Sequence, residues 1–304
     1  MEELQKLDTE QRNPLTAQID TLPTEEMVRL INQEDHRCAE AVALVLPEIA
    51  RAVDLITTQL KKGGRLFYAG AGTSGRLGVL DAAECPPTYG VSPDLVVGLI
   101  AGGPSAFLKA VEGAEDSEEL GRQDLIDHGF CEKDALVGIA ASGRTPYVIG
   151  AMDYARETGA PVMALTCCRD SRMSRHADVT IAPIPGPEVV TGSSRMKSGT
   201  CQKLVLNMLS TCVMIKLGKV YGNLMVDVQA TNKKLEDRAI RIVQSATGAD
   251  RETAAAALEK SGWACKTAIV MILLNLDRAA AEARLSAAEG RIARAVSPEG
   301  EAQA

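Results

Sequence analysis

A chain of 304 residues with 46% hydrophobic and 24% charged side chains has the make-up of a folded globular protein, not of a disordered one. Its net charge is −7 and only 3% of its residues are aromatic, so it offers neither the broad basic surface nor the stacking rings that nucleic-acid binding calls for. Its longest apolar run, at 204–217, is broken by Asn207 and Lys216 and falls short of the ~20 residues that cross a bilayer; it reads as a buried helix.

The first twenty residues show no basic and apolar leader, and the eight cysteines show no CxxC spacing. Reduced thiols in a cytoplasmic protein are the expectation. Residues 1–23 are a polar lead-in ending at Pro23. Thr24 then caps a predicted helix, and Pro47 opens a second that Gly63 and Gly64 stop. Five short apolar runs follow at 65–70, 94–103, 134–142, 161–167 and 178–184. Between them lie helix-forming stretches at 74–84, 104–126, 145–158 and near 170–176, and a helix at 197–217 closes the series. Strands that read as continuously apolar belong to a parallel sheet covered on both faces. The fold expected is therefore α/β, a three-layer, doubly wound, parallel five-stranded sheet. Beyond Gly222 no further strand is predicted, and helices at 227–247, 250–260 and 264–289 make a C-terminal helical subdomain. The predicted boundaries are an N-terminal helical segment 1–50, the α/β domain 51–222, the helical subdomain 223–296 and a disordered tail 297–304.

Open parallel sheets bind ligands at the carboxyl ends of their strands. The first strand ends in AGAGTSGRLG (69–78), where Gly72, Thr73, Ser74 and Gly75 combine close backbone approach, hydroxyl donors and the free N–H groups of a helix start. GxGxxG matches formally at 70–75, but no acid ends a second strand some 20 residues on, and GxxxxGK[ST] is absent; neither a dinucleotide nor a P-loop site is expected. The third strand ends in AASGRTPYV, whose Ser142, Gly143, Arg144 and Thr145 form a second turn of the same kind. Two such turns at one sheet edge suit a phosphate monoester; the plain alternative is that each hydroxyl only caps its helix. A third segment, GPEVVTGSSRMKSGTCQK, places Glu188, Ser193, Ser194, Arg195 and Lys197 before the 197–217 helix, a basic entry again suited to an anion unless its cations pair with surface acids. The three histidines share no metal-ligand spacing with a cysteine or acid, and no GxSxG elbow exists, so no metal and no cofactor are expected.

These three loops resemble the SIS (sugar isomerase) fold. AGAGTSGRLGVLDAAECPPTYG together with TGSSRMKSGTCQK is similar, more narrowly, to the N-acetylmuramic acid 6-phosphate etherase family, from the Asn13–Pro14 lead-in to the helical tail. The resemblance implies a cytoplasmic homodimer without a metal. It would cleave the D-lactyl ether at C3 of a phosphosugar, giving N-acetylglucosamine 6-phosphate and D-lactate. It implies that Glu84, in AAECPPT, is the acid/base glutamate and that Glu115, in EGAED, is a second important one, with Glu112 and Asp116 as local competitors. Ala140 and Ala141 stand where many SIS isomerases carry a hydroxyl and an amide, leaving more of the phosphate to Ser142, Thr145 and the first loop. An apolar setting at a stiff Pro86–Pro87 turn would raise the pKa of Glu84. A phosphosugar isomerase and a sugar-phosphate-sensing regulator without turnover are the competing readings; release of lactate separates both from an etherase.

Overall fold

The computed structural model describes residues 8–109, 111–228 and 232–297. Two helices, α1 (Thr24–Ala43) and α2 (Leu46–Lys61), precede the alternating series β1 (Leu66–Gly70), α3 (Gly72–Tyr89), β2 (Val96–Ile100), α4 (Glu118–Asp127), β3 (Ala135–Ile139), α5 (Pro146–Glu157), β4 (Val162–Leu165), β5 (Val179–Ile181) and α6 (Lys197–Lys216). The chain divides into two compact units, Met1–Ala83 with Pro93–Ser210, and Glu84–Ser92 with Thr211–Ala304.

The first unit carries the expected parallel sheet, in the order β2-β1-β3-β4-β5. Every residue of β1, β3 and β4 is buried, which is why these strands read as unbroken apolar runs. α5 packs on β1, β3 and β4, while α2 packs on β5 and β3. The core between sheet and helices is aliphatic, with Leu136, Val148, Met152 and Val162 at its centre, and Phe67 meets Phe130 edge-on at 5.1 Å.

The second unit adds a hairpin of β6 (Val220–Tyr221) and β7 (Leu224–Met225) and five helices, α7 (Lys233–Thr247), α8 (Arg251–Ser261), α9 (Cys265–Leu274), α10 (Arg278–Ala287) and α11 (Ile292–Val296). The side chains of Asn232, Asp250 and Asp277 cap α7, α8 and α10. Val243, Leu258, Ile269 and Val270 fill the core of this bundle.

Four expectations need correction. The hairpin was not foreseen, because two-residue strands are too short to carry a period. The single helix predicted over 264–289 is two, since Asn275 adopts φ 50° and Asp277 starts a new helix. The stretch 104–126 holds two short 3-10 turns, Pro104–Phe107 and Ala114–Asp116, before α4. Pro23, not Thr24, occupies the N-cap of α1, without a side-chain bond. The predicted tail lies outside the described residues beyond Ser297.

Candidate phosphate and proton-transfer site

β1 has β2 on one side and β3 on the other, so the chain winds in opposite directions from it and opens a crevice at the carboxyl ends of β1 and β3. A single residue, Ala71, joins β1 to α3. That turn is tight enough to require glycine. A Cβ on Gly75 would stand 2.6 Å from the Gly70 carbonyl oxygen and 2.7 Å from Ile100 Cγ1, and Gly72 adopts φ +53°. The helix therefore starts directly on the strand end and presents its first N–H groups at the sheet edge. Gly72 is exposed, Thr73 half-buried and Ser74 buried, with its Oγ donating to Gln202 Oε1 at 3.0 Å.

Register places Gly70 beside Ile139, so the 140–145 turn emerges next to the first one. Gly143 adopts φ +64°, and a Cβ there would lie 2.3 Å from Ser171 Cβ and 2.5 Å from Thr166 Oγ1. Thr145 takes the N-cap position of α5, yet its hydroxyl makes no capping bond. The plain alternative of a helix cap does not describe it. Ser142, Arg144 and Thr145 are all half-buried at this rim.

A cavity of about 190 Å³ opens at the start of α3. It is lined by Ala71 and Gly72 from the first turn, Arg76 from α3, and Glu112, Gly113 and Glu115 from the loop after β2. Glu115 thus stands with the helix start, and so does its competitor Glu112; both carboxylates are exposed. Arg76 does not point a free charge into this space. Its Nε and Nη2 donate to the Phe107 and Ala106 carbonyls at 2.7 and 2.9 Å, which ties the loop carrying Glu112 and Glu115 to α3.

The third segment behaves differently. Glu188 is wholly buried, and its two oxygens accept from the Lys197 and Ser198 N–H groups, each at 2.9 Å, so it caps α6. Lys197 is wholly buried too, its Nζ donating to Glu34 Oε2 at 2.5 Å and to the Pro185 carbonyl at 3.1 Å. Asn13 donates to the same Glu34 oxygen, and Arg37 stands 3.3 Å away. Burial pushes the Glu34 carboxyl up, but the Lys197 ammonium, Asn13 and Arg37 outweigh it and hold the group below its usual range. The polar atoms of Glu188 and Lys197 are thus engaged by protein, and neither is an anion ligand as expected. The other candidates of that segment lie nearer the surface: Ser193 and Ser194 are half-buried and Arg195 is exposed.

Glu84 corrects another expectation. It lies inside α3, not at a turn after it, and it is exposed, not set among apolar neighbours. Pro86 and Pro87 are accommodated within the last turns of the helix. At ~1.5 Å per residue, Glu84 sits about 18 Å along α3 from Gly72.

Three residues near these turns were not singled out in the sequence. Asp81, one turn before Glu84, is buried, accepts from Tyr68 and Ser210, and has its pKa raised by burial. Gln202 meets the first turn from α6, with Ser198 one helical turn before it; their i, i+4 spacing inside the TGSSRMKSGTCQK segment was the available signal. Among the described residues no group of three His, Cys, Asp or Glu side chains is placed to hold a metal ion, and no helix is long and apolar enough to cross a membrane.

Comparison with known proteins matches residues 48–156 to the glucokinase regulatory protein N-terminal SIS domain, 122–212 to the SIS domain, and 222–269 to the C-terminal lid domain of glucokinase regulatory protein. The chain is 60% identical to the N-acetylmuramic acid 6-phosphate etherase of Aeromonas hydrophila subsp. hydrophila, over 95% of this chain and 97% of that protein. It is 59% identical to the etherase of Aliivibrio fischeri, over 97% of this chain and 98% of that one. Among solved structures, phosphoheptose isomerase GmhA from Neisseria gonorrhoeae superposes with a TM-score of 0.51 at 22% identity, covering 63% of this chain and 98% of that one, a likeness of fold.

Proposed function

The chain belongs to the N-acetylmuramic acid 6-phosphate etherase family, and on that premise we propose how its residues carry the family's reaction. The protein is a carbon–oxygen lyase of amino-sugar metabolism. It cleaves the C3 D-lactyl ether of N-acetylmuramate 6-phosphate to N-acetylglucosamine 6-phosphate and D-lactate. The observation that carries the assignment of residues is the cavity in which Glu115 meets the glycine-rich start of α3.

An alkyl ether oxygen leaves poorly and needs activation. In the open-chain sugar the C1 aldehyde acidifies the C2 hydrogen, and the C3 oxygen lies β to that carbonyl. Glu115 takes the C2 proton, the C3–O bond breaks with its electron pair on lactate, and an acid supplies the proton that lactate needs. Water then adds at C3 of the unsaturated aldehyde and a proton returns to C2, which completes the balance. Two proton-carrying carboxylates suffice. The N–H groups of Gly72 to Gly75, with Ser142 and Thr145 from the neighbouring turn, hold the phosphate; Gly143, Arg144, Ser193, Ser194 and Arg195 frame it.

Glu84 is the acid for lactate and the base for water. A hexose 6-phosphate held at Gly72 does not span the ~18 Å to Glu84 on the same helix. We therefore assign the carboxylate to the site of a second copy, in a homodimer. Exposed apolar side chains on and between the N-terminal helices, Val28, Leu44 and Leu46, favour such an assembly. Eight free cysteines agree with a cytoplasmic location.

Incubation with N-acetylmuramate 6-phosphate in ¹⁸O-labelled water tests the reaction. Lactate without label and N-acetylglucosamine 6-phosphate with one label at C3 are expected. Label in the lactate, or isomerisation without lactate, contradicts it.

A further inference from the structure

Gln202 is 1% exposed, and its amide splits into one used and one unused end. Oε1 accepts from Ser74 Oγ at 3.0 Å, while Nε2 has no partner among the described residues. One helical turn earlier on α6, Ser198 is equally buried and its Oγ is likewise without a partner. Its backbone is fixed, since its N–H donates to Glu188 and its carbonyl accepts from Cys167. α6 approaches the first turn closely at this point, a Cβ on Gly199 falling 3.5 Å from Thr73 Cγ2. Buried donors are normally spent, so the unspent Gln202 Nε2 beside an anion-binding helix start calls for a reason.

Ser74 has one hydroxyl hydrogen, and in this arrangement it goes to Gln202. A phosphate oxygen only accepts, so Ser74 cannot serve it until that hydrogen is released. A half-turn of the Gln202 amide releases it. Nε2 then donates to Ser74 Oγ, and the Ser74 hydrogen turns to the phosphate. The unspent amide donor is used. We infer that Gln202 is a positioning residue of the phosphate site, whose reversed amide directs the Ser74 hydroxyl to a bound phosphomonoester. The inference deepens the proposed function and rests on its phosphate subsite, not on ether cleavage.

The test is calorimetric binding of N-acetylglucosamine 6-phosphate to the full chain, which reads this step whether or not lactate is released. Q202M keeps the volume and removes both ends of the amide. It should weaken binding about tenfold or more and raise KM for the substrate alike, with kcat changed far less. S74A should weaken binding to a similar degree, and the double variant S74A/Q202M should be no worse than either single one. Q202E, of the same shape, holds the Ser74 hydrogen permanently and sets a negative charge beside the dianion; it should bind more weakly still. Thermal melts establish that each variant is folded, and if Q202M is not, S74A and Q202E decide. Wild-type affinity in Q202M or S74A, or additive losses in the double variant, overturn the inference. Absence of lactate from a wild type that binds the sugar phosphate would instead overturn only the etherase reaction.

Discussion

The Lys197 ammonium is wholly buried against Glu34, and the pair is tied to the lead-in through Asn13. Breaking one side of such a pair leaves a charge without compensation and costs about 3–5 kcal/mol. The pH dependence follows from the depressed Glu34 carboxyl. Its folded-state pKa lies below the unfolded value near ~4.3, so the stability it contributes is present above that pH and drains away as pH falls through the folded value. Thermal melts between about pH 3 and pH 7 should show Tm falling on the acid side in the wild type. E34Q should start lower at neutral pH and fall less. An acid limb as steep in E34Q as in the wild type would refute the role. A basic, hydroxyl-rich stretch looked like an anion site, and composition could not tell a cation that binds ligand from one that meets a carboxylate brought in from 163 positions away in the sequence. The turns at 73–74 and 142–145 could be placed from sequence because they follow their own strand ends, while the place of Gln202 could not, since its partner Ser74 comes from α3.

α3 illustrates how far local pattern carries at the scale of an element. Its start was legible, because glycines with φ > 0 or against a strand leave a signature that no other residue leaves. Its end was not. Pro86 and Pro87 read as a break, yet the helix continues to Tyr89 and closes where Gly90 donates to the Pro86 carbonyl. The five strands were all placed correctly to within a few residues, since burial on both faces makes each one a compact apolar word. The extra length of α3 bears on the roles proposed above, because it carries Glu84 away from the first glycine–hydroxyl turn of its own chain. Mixing E84Q with E115Q under subunit exchange should restore about a quarter of wild-type activity, since half the dimers are mixed and each mixed dimer has one intact site. No recovery despite demonstrated exchange would return both carboxylates to one chain.

At the scale of the whole molecule, the sheet positions the chemistry and the aliphatic core keeps it rigid. The winding reversal at β1 brings two glycine–hydroxyl turns to one edge, and the Arg76 latch brings the Glu112–Glu115 loop to the first of them. Glu115, the carboxylate to which we assign the carbon-acid chemistry, shares a cavity with the start of α3 that we propose holds the phosphate. The most direct measurement is hydrogen exchange at C2 of N-acetylglucosamine 6-phosphate in deuterated water, followed for E115Q, E112Q and E84Q. E115Q should lose the exchange by about two to four orders of magnitude, while E112Q and E84Q retain it, E84Q without lactate release from the substrate. Exchange at the wild-type rate in E115Q would contradict the account.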